Sequence, residues 1–448
     1  MNAVVLAVLV MIILSLARIH VVIALIGGAI VGGIVAGFSV TETLEIFTGG
    51  LGANASIALS YAMLGAFAVA INFTGLPNLM VKGAIRLVGK NEETRRKTMT
   101  KVILLFIVAI VACFSQNLVP VHIAFIPILV PPLLLIFNEL ALDRRAVATA
   151  LTFGLKAPYI LIPAGYGFIF HEILVTNMEE SGMSVEMGMV PQALALPVLG
   201  MLIGLLFAIF VSYRKERPYH NKEIVEESVT SGDKNYTTTG IVISIISIVV
   251  VLIAQVVTDS MIFGALSGLI ILYCYFGVLH FRKEFTLNQT DQLMTSGMKM
   301  LAFIGFVMIA AGGFAEVIRE TGHVESLVTS TSDWIGGNHG LAAIIMLIIG
   351  LFITMGIGSS FATIPIITAI FVPLAVAIGM SPMATIALIG TAGALGDAGS
   401  PASDSTLGPT AGLNADGQHN HIWDTCVPTF LHFNIPLIIF GWLSAIIL

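Results

Sequence analysis

Charged residues are scarce in this chain. Lys, Arg, Asp and Glu make up 10% of its 448 residues, whereas apolar residues make up 57%. Because a soluble domain carries about 25% charged residues, this composition excludes an ordinary soluble protein. The net charge of -6 comes without a basic tract, so no nucleic-acid partner is expected. The partner that the composition predicts is the lipid bilayer.

Cysteine and nucleotide-binding motifs are also scarce or missing. Cys113, Cys274 and Cys426 have no paired spacing that would suit a disulfide framework or a metal site, so we expect buried packing roles for them. The sequence has no P-loop, dinucleotide fingerprint or catalytic triad. We therefore predict that the chain is not an enzyme or an ATP-driven pump, and that it needs no cofactor beyond Na⁺ as a candidate coupling ion.

Hydrophobic runs of about 20 residues recur along the whole chain. Each run is long enough to cross a hydrocarbon core of about 30 Å as a helix, and continuous apolar runs favour helices over strands. We predict an all-α polytopic membrane protein with about ten full spans, and with broken helices and re-entrant hairpins between them. Residues 3–17 lack the features of a cleaved signal peptide and are expected to be a retained short span.

The sequence contains two related halves. "GAFAVAINFTG" at 65–75 matches "GGFAEVIRETG" at 312–322 at six of eleven positions. Further along, "RRAVATALTFGLKAPYILIPAGYG" at 144–167 corresponds to "PMATIALIGTAGALGDAGSPASDS" at 382–405. Each is a predicted helix that ends in a run of small and polar residues. Paired halves with breaks at matching positions indicate a transporter whose site lies between discontinuous helices.

Charge asymmetry predicts that the two halves are inverted. The segment 82–101 is rich in Lys and Arg and should be cytoplasmic, whereas its counterpart at 327–340 has neither residue. By the same rule the segments 143–145, 214–217 and 408–427 share the cytoplasmic side. We predict two inverted-topology repeats, at residues 1–213 and 238–448, joined by a cytoplasmic linker at 214–237.

Ionisable residues inside predicted spans are costly to insert and are functional candidates. Asp397 and Asp404 follow an apolar helix in a sequence rich in small residues, near Ser400 and Ser403. Their oxygens suit a cation such as Na⁺, and a carboxylate with a raised pKa could exchange protons instead. The alternative is a solvated loop at the membrane edge. Lys156 lies in the matching break of the first half, where it is predicted either to neutralise the Asp397 region or to extend to the membrane surface.

Two polar stretches resemble the tips of re-entrant hairpins. Their donors, together with helix N-termini, suit an anionic group such as a carboxylate, although plain hinges between two full spans would also explain them. The candidate substrate-binding residues in these tips are Ser115, Gln116, Asn117, Ser359, Ser360 and Thr363.

Glu316 and Arg319 are three residues apart on one helix. They could pair with each other, or they could contact the two charges of a zwitterionic substrate. Arg319 is the only basic Lys or Arg after residue 300, so the acidic residues of this region lack local partners. We expect solutes to be candidate counter-ions for them.

The stretch "GDAGSPASDSTLGPTAGLNADGQHNHIWDTCVPTFLHFNIPL" at 396–437 resembles the C-terminal signature of the NhaC-related bacterial Na⁺/H⁺ antiporter family, within the ion transporter superfamily. The likeness covers most of the chain and is closest to a branch described as candidate amino-acid transporters. It implies a bacterial inner-membrane carrier that is homodimeric and works by an elevator movement. Asp397, Ser400, Ser403 and Asp404 fall in the family motif, whereas Lys156, Glu316 and Arg319 rest on the charge argument alone.

Two functions therefore remain from the sequence. In one, a small amino-acid-like substrate moves with H⁺ or Na⁺, with tip donors binding its carboxylate and acidic groups binding its ammonium. In the other, Na⁺ and H⁺ exchange without an organic substrate. Intramembrane charges of both signs favour the first function.

Overall fold

A computed structural model of the chain describes residues 2–17, 19–76, 79, 94–117, 122–221, 237–258, 260–283, 285–335, 337–401 and 403–448. The basic segment 82–93 and most of the linker lie outside these ranges. The described residues are mostly helical, without strands, which confirms the all-α class. The helices are α1 Ala3–Leu16, α2 Val21–Ala36, α3 Val40–Gly49, α4 Ala55–Phe73, α5 Thr94–Asn117, α6 His122–Glu139, α7 Arg144–Leu161, α8 Tyr166–Glu180, α9 Met189–Phe207, α10 Thr238–Thr258, α11 Met261–Phe281, α12 Leu287–Glu320, α13 His323–Ile335, α14 His339–Ile357, α15 Ser360–Ala377, α16 Pro382–Ala394, α17 Asp404–Leu413 and α18 His421–Ile447.

Many of these helices are long and apolar enough to cross a bilayer. Within the described ranges seven meet that criterion, or eight if the bent pair α7 and α8 counts as one span. Four shorter apolar segments fall in α1, α2, α5 and α16. Their length, below the roughly 20 residues of a simple span, fits the prediction that some segments are short or broken. The molecule is a multi-pass membrane protein.

The helices form two packing groups. We call α1–α4 and α10–α12 the frame helices, because they pack mainly among themselves: α12 contacts α4, α2 and α3, α1 packs on α2, and α11 packs on α10 and α4. We call α5–α9 and α14–α18 the break helices, because they pack mainly among themselves and contain the interrupted segments. The two groups meet chiefly where α15 contacts α12, and where α14 contacts α1.

Helices α4 and α12 carry the two best-matching segments of the sequence and pack along one another. A side-chain carbon added at Gly297 would lie 2.3 Å from the carbonyl oxygen of Gly65, and one added at Gly312 would lie 3.1 Å from Asn54 Nδ2. Because the contacts move down one helix as they move up the other, the pair is antiparallel. Glycine permits this close approach of two backbones. The inverted repeat stays a prediction, and antiparallel packing of its matching segments is consistent with it.

Side-chain burial corrects one expectation. Cys426 is buried, but Cys113 is only half-buried and Cys274 is exposed on α11. Helix α11 presents an exposed apolar face, including Phe263 and Ile270, and Cys274 lies exposed on the same helix. The buried role expected for all three cysteines was therefore wrong for Cys274, because hydropathy does not separate a lipid-facing position from a core position.

Candidate functional site

The first break separates α7 from α8, which are bent by 50°. Pro158 lies inside the last turns of α7, and Pro163 follows its end. Gly165 precedes α8 with φ +58°, a conformation that glycine adopts without steric cost. A side-chain carbon there would lie 1.7 Å from the carbonyl oxygen of Asn117. Only glycine therefore fits between α8 and the end of α5.

The second break separates α16 from α17 and occupies residues 395–403. Gly396 and Gly399 have φ values of +77° and +113°, so the chain turns sharply twice. The side chain of Asn434 holds this loop from α18: its Oδ1 accepts from Gly396 N at 3.0 Å, and its Nδ2 donates to Ala398 O at 2.8 Å. These bonds satisfy backbone groups that no helix satisfies in this loop.

The tip between α14 and α15 is only two residues long. Gly358 is left-handed with φ +75°, and Ser359 is the N-cap of α15. The hydroxyl of Ser359 accepts from Ala362 N, and Thr363 Oγ1 donates back to Ser359 O at 2.9 Å. Both side chains thus shape the tip locally. Each flanking helix is long enough to cross a bilayer, so the re-entrant geometry of this tip stays a prediction.

Asp397 lies at the centre of the place where these segments meet, and it is 2% exposed. Its Oδ2 accepts from Ser360 N at 3.0 Å, from Ser360 Oγ at 2.5 Å and from Lys156 Nζ. Its Oδ1 accepts from Ser403 Oγ. The carboxylate therefore has a charged partner and three uncharged donors. This pairing meets the requirement that a charge buried in a membrane be compensated.

Lys156 comes from the first half of the chain and Asp397 from the second. The lysine is 7% exposed, so it does not extend to the membrane surface. Its Nζ also donates to Tyr159 Oη at 3.4 Å, and Tyr159 Oη lies 2.9 Å from Ser360 Oγ. The ring of Tyr159 contacts Phe361 and Tyr166. The predicted approach of Lys156 to Asp397 is thus present, and aromatic rings lie beside the pair. The function of both residues stays a prediction.

The other two motif residues have different surroundings. Asp404 is half-buried in the first turn of α17, where the positive end of the helix dipole favours a carboxylate. Ser400 Oγ donates to Met355 O at 3.2 Å and so fastens the loop to the end of α14. Within the described residues, hydrogen bonds join Asp397 to Ser403 and Ser360 but not to Asp404. Coupling roles for Asp404 and Ser400 stay predictions.

The tip of α5 is described only in part. Gln116 and Asn117 are 4% and 6% exposed, whereas the side chain of Ser115 and residues 118–121 lie outside the described residues. Gln116 Oε1 and Asn117 Oδ1 are buried without a hydrogen-bond partner in the described structure. The atoms available here are therefore acceptors, whereas the sequence predicted donors for a carboxylate.

Glu316 and Arg319 lie near the end of α12, and they pair with each other at 2.9 Å. Arg319 also contacts Glu180 at the end of α8, with a backbone hydrogen bond of 3.1 Å. The guanidinium and carboxylate side chains are roughly a quarter to a third exposed. Their contacts thus bridge the frame and break helices at one end of the molecule. A substrate-binding role for the pair stays a prediction.

A second ionic cluster lies at the start of α7. Arg144 is fully buried, and its two Nη atoms donate to Asp416 at 2.7 and 2.5 Å. The guanidinium also lies 4.3 Å from the ring centre of Tyr219. Arg217 contacts Asp424 at 2.7 Å. The segments 143–145, 214–217 and 408–427 therefore meet at one end of the molecule, as their predicted common side requires.

These pairs correct the expectation that solutes neutralise the acidic residues of the second half. Three of these residues have partners elsewhere in the chain, in the first half for Asp397 and Asp416 and in the linker for Asp424, because folding brings distant segments together. The described pairs are Asp397 with Lys156, Asp416 with Arg144, and Asp424 with Arg217.

Sequence reasoning missed several residues of this region. Tyr159 was not singled out because an aromatic residue in an apolar helix is ordinarily a packing residue. Asn434 was not singled out because it lies within an apolar run. Gln255 is a lone amide in the apolar helix α10, and its Oε1 accepts from Gly165 N at 3.2 Å. A polar residue isolated within such a run is a usable signal, because lipid does not satisfy its hydrogen bonds.

Known proteins resemble this chain along its whole length. The "Putative amino acid transporter YuiF" of Bacillus subtilis is 55% identical over all of both chains. Two solved structures share the fold at 16% sequence identity. MtrF of Neisseria gonorrhoeae, from a study of antimetabolite efflux pumps, has a TM-score of 0.59 over 90% of this chain and 83% of its own. The YdaH transporter of Alcanivorax borkumensis has a TM-score of 0.58 over 90% and 86%.

Family models give the classification. Residues 150–442, which include both breaks and the Asp397 cluster, match the model described as the Na⁺/H⁺ antiporter family. Residues 2–88 match a second model, described as a Na⁺-H⁺ antiporter family. The chain therefore belongs to the Na⁺/H⁺ antiporter family of membrane transporters.

Proposed function

We propose that this protein is a secondary active transporter of the bacterial inner membrane that moves a small amino-acid-like substrate coupled to H⁺ or Na⁺. The observation that carries the proposal is the buried pair of Lys156 and Asp397, which joins the breaks of the two halves. A permanent membrane-buried ion pair is costly and adds little stability, which favours a functional reason for it. The name of the Bacillus subtilis relative supports an amino-acid substrate.

Coupling follows from competition for one carboxylate. A proton or a Na⁺ ion that binds Asp397 weakens its attraction for the Lys156 ammonium. Ser360 and Ser403 already contact the carboxylate, so their hydroxyl oxygens are available to a hard cation once they rotate. Binding of the coupling ion and release of Lys156 thus become one event.

The two packing groups suggest how the site changes sides. In our proposal the frame helices form a scaffold and the break helices move against it as an elevator, carrying Lys156 and Asp397 together. The proposed repeats at 1–213 and 238–448 would then supply matching parts to each group. A homodimer through the frame would hold the scaffold in place, since α10 and α11 present exposed apolar faces.

Exchange of Na⁺ and H⁺ without an organic substrate is the second candidate. The family description favours it, and the oxygens around Asp397 would suffice for an ion alone. Charges and unpaired polar groups beyond the Asp397 cluster favour the organic substrate.

Transport by purified protein in proteoliposomes tests the proposal. Uptake of each of the twenty standard L-amino acids is measured under an imposed pH gradient and, separately, under an imposed Na⁺ gradient. We expect accumulation of one or a few amino acids under at least one gradient. Na⁺-driven H⁺ movement without amino-acid flux would reject the organic substrate and favour ion exchange.

A further inference from the structure

Three buried polar side chains near the first break each have one atom without a hydrogen-bond partner in the described residues. Gln255 is fully buried on α10, and its Nε2 has no hydrogen-bond partner in the described residues. Gln116 Oε1 and Asn117 Oδ1 at the end of α5 also have no hydrogen-bond partner in the described residues. All three residues are more than nine-tenths buried. Buried polar groups are normally paired, and leaving one unpaired destabilises the protein.

Gln255 and Asn117 belong to different packing groups, and both contact Gly165. Gln255, from the frame, accepts from Gly165 N at 3.2 Å. Asn117, from the break helices, presses its backbone carbonyl against Gly165, since a side-chain carbon there would lie 1.7 Å away. Gly165 is also the N-cap of α8, and no side chain caps that 15-residue helix. The side chain of Gln255 and the backbone of Asn117 therefore flank a helix N-terminus.

Aromatic rings connect this place with the Asp397 cluster. Tyr166, the first residue of α8, lies edge-on to Tyr61 of the frame at 5.6 Å between ring centres. It also lies edge-on to Tyr159 at 6.1 Å, and Tyr159 contacts Ser360 beside Asp397. The first break and the ion pair are thus parts of one region.

The unpaired atoms differ in kind along this region. At the α5 tip they are two carbonyl oxygens, which accept hydrogen bonds from an ammonium. At Gln255 the unpaired atom is an amide nitrogen, which donates, and the adjoining N-terminus of α8 attracts negative charge. A zwitterion supplies both complements at a short separation.

We infer that the first break is the binding site for the α-amino and α-carboxylate groups of an amino acid. Asn117 and Gln116 bind the ammonium, while Gln255 and the N-terminus of α8 bind the carboxylate. This assignment rests on the proposed function and deepens it. It also reverses the sequence prediction for this tip, which gave the carboxylate to the α5 residues. Since Gln255 belongs to the frame, the substrate contacts both groups of helices.

A crossed comparison of variants and analogues tests the assignment. The amino acid that the purified protein transports is compared with its α-hydroxy acid, which lacks the ammonium, and with its decarboxylated amine, which lacks the carboxylate. Competition against uptake gives the apparent affinity of each. The variants are Asn117→Leu and Gln255→Met. Ser247→Ala is the matched control, because Ser247 is also a fully buried polar residue of α10 without a described partner.

We expect the unmodified protein to prefer the amino acid over both analogues by about tenfold or more, since a site built for a polar group rejects ligands without it. Asn117→Leu should lose the preference over the hydroxy acid and keep the preference over the amine. Gln255→Met should do the reverse, and the control should keep both. This crossed pattern is not produced by a general loss of packing.

Three results would overturn the assignment. Retention of both preferences by both variants would leave the amides without a role in binding. Equal loss of both preferences in each variant would indicate a packing defect. A lowered melting temperature in detergent would identify such a defect. A changed Na⁺ dependence with intact preferences would assign the amides to an ion. If the unmodified protein transports none of the twenty amino acids, the proposed function fails and this site fails with it.

Discussion

Helix α7 carries two buried ion pairs that differ in chemistry. At its start, Arg144 makes two hydrogen bonds to Asp416 and is fully buried. Near its end, Lys156 makes a single contact to Asp397 beside serine hydroxyls. Arginine stays charged under all ordinary conditions and binds a carboxylate in a fixed two-point geometry, whereas lysine can lose its proton when buried. One pair is suited to permanence and the other to exchange.

The surroundings of the two pairs point the same way. Arg144 is also held by Leu413 O at 2.8 Å and by the ring of Tyr219, so it fastens three segments at one end of the molecule. Within the described residues, Lys156 Nζ donates hydrogen bonds to Tyr159 and Asp397 alone. Breaking the first pair should therefore affect folding, while breaking the second should affect transport.

The largest effect on stability is expected for Arg144→Met. The substitution leaves Asp416 without its buried partner, and breaking such a pair typically costs about 3–5 kcal/mol. Thermal melting of the detergent-purified protein measures the change, with Arg144→Lys as a partial rescue that keeps the charge. A melting temperature equal to that of the unmodified protein would show that the cluster does not hold these segments together.

Asp397→Asn should abolish coupled transport and leave the fold largely intact. The asparagine cannot bind a proton or attract a cation, whereas its side-chain oxygen can still accept hydrogen bonds from Lys156 and from the serine hydroxyls. Proteoliposome uptake should fall to about 1% or less of the original, corresponding to a loss of about 2.7 kcal/mol, while the melting temperature falls less than in Arg144→Met. Near-normal uptake would exclude Asp397 from coupling.

The pH dependence of stability sharpens the contrast at Asp416, which lies outside the spans. Burial raises the pKa of this carboxyl. Hydrogen bonds from Arg144 and Gln418, together with the positive charge of Arg144, outweigh the effect of burial and hold the pKa below its usual value. Stabilisation by Asp416 is thus complete above about pH 4 and is lost as the pH falls through the lower folded pKa. The difference in melting temperature between the unmodified protein and Asp416→Asn should narrow below pH 4. A constant difference would contradict the depressed pKa.

The smallest effect is expected for Arg217→Ala. Arg217 contacts Asp424 in the same cluster, but its side chain is 38% exposed. Exposed ion pairs contribute about 0.2–1 kcal/mol, so the melting temperature should change by no more than a few degrees. A fall in melting temperature as large as that of Arg144→Met would mean that the difference in exposure does not determine how much each arginine stabilises the protein.

The sequence predicted much of the architecture. Apolar runs predicted the helical membrane class, and the matching breaks predicted that Lys156 approaches Asp397. Helix-breaking residues and rare intramembrane charges are strong local signals, because lipid makes both costly. The basic segment behind the orientation prediction lies largely outside the described residues, so its position stays a prediction.

The partners of individual side chains were harder to predict. Arg144 was interpreted only as part of a cytoplasmic basic segment, and its partner Asp416 lies in the other half of the chain. Gln255 was overlooked because one amide changes the hydropathy of α10 very little. Such pairings depend on how distant helices pack, which local sequence patterns do not encode.

Helix α12 runs for 34 residues, from Leu287 to Glu320. At about 1.5 Å per residue it is roughly 50 Å long, about 20 Å more than a hydrocarbon core. Its first turns, with the polar residues Asn288 to Asp291, must therefore stand in water unless the helix tilts strongly. A spectroscopic label at these turns would report on the frame helices. A second label at His220 would report on the break helices, because the backbone of His220 is hydrogen-bonded to Gln418, between α17 and α18. The distance between the labels would record any sliding of one group past the other.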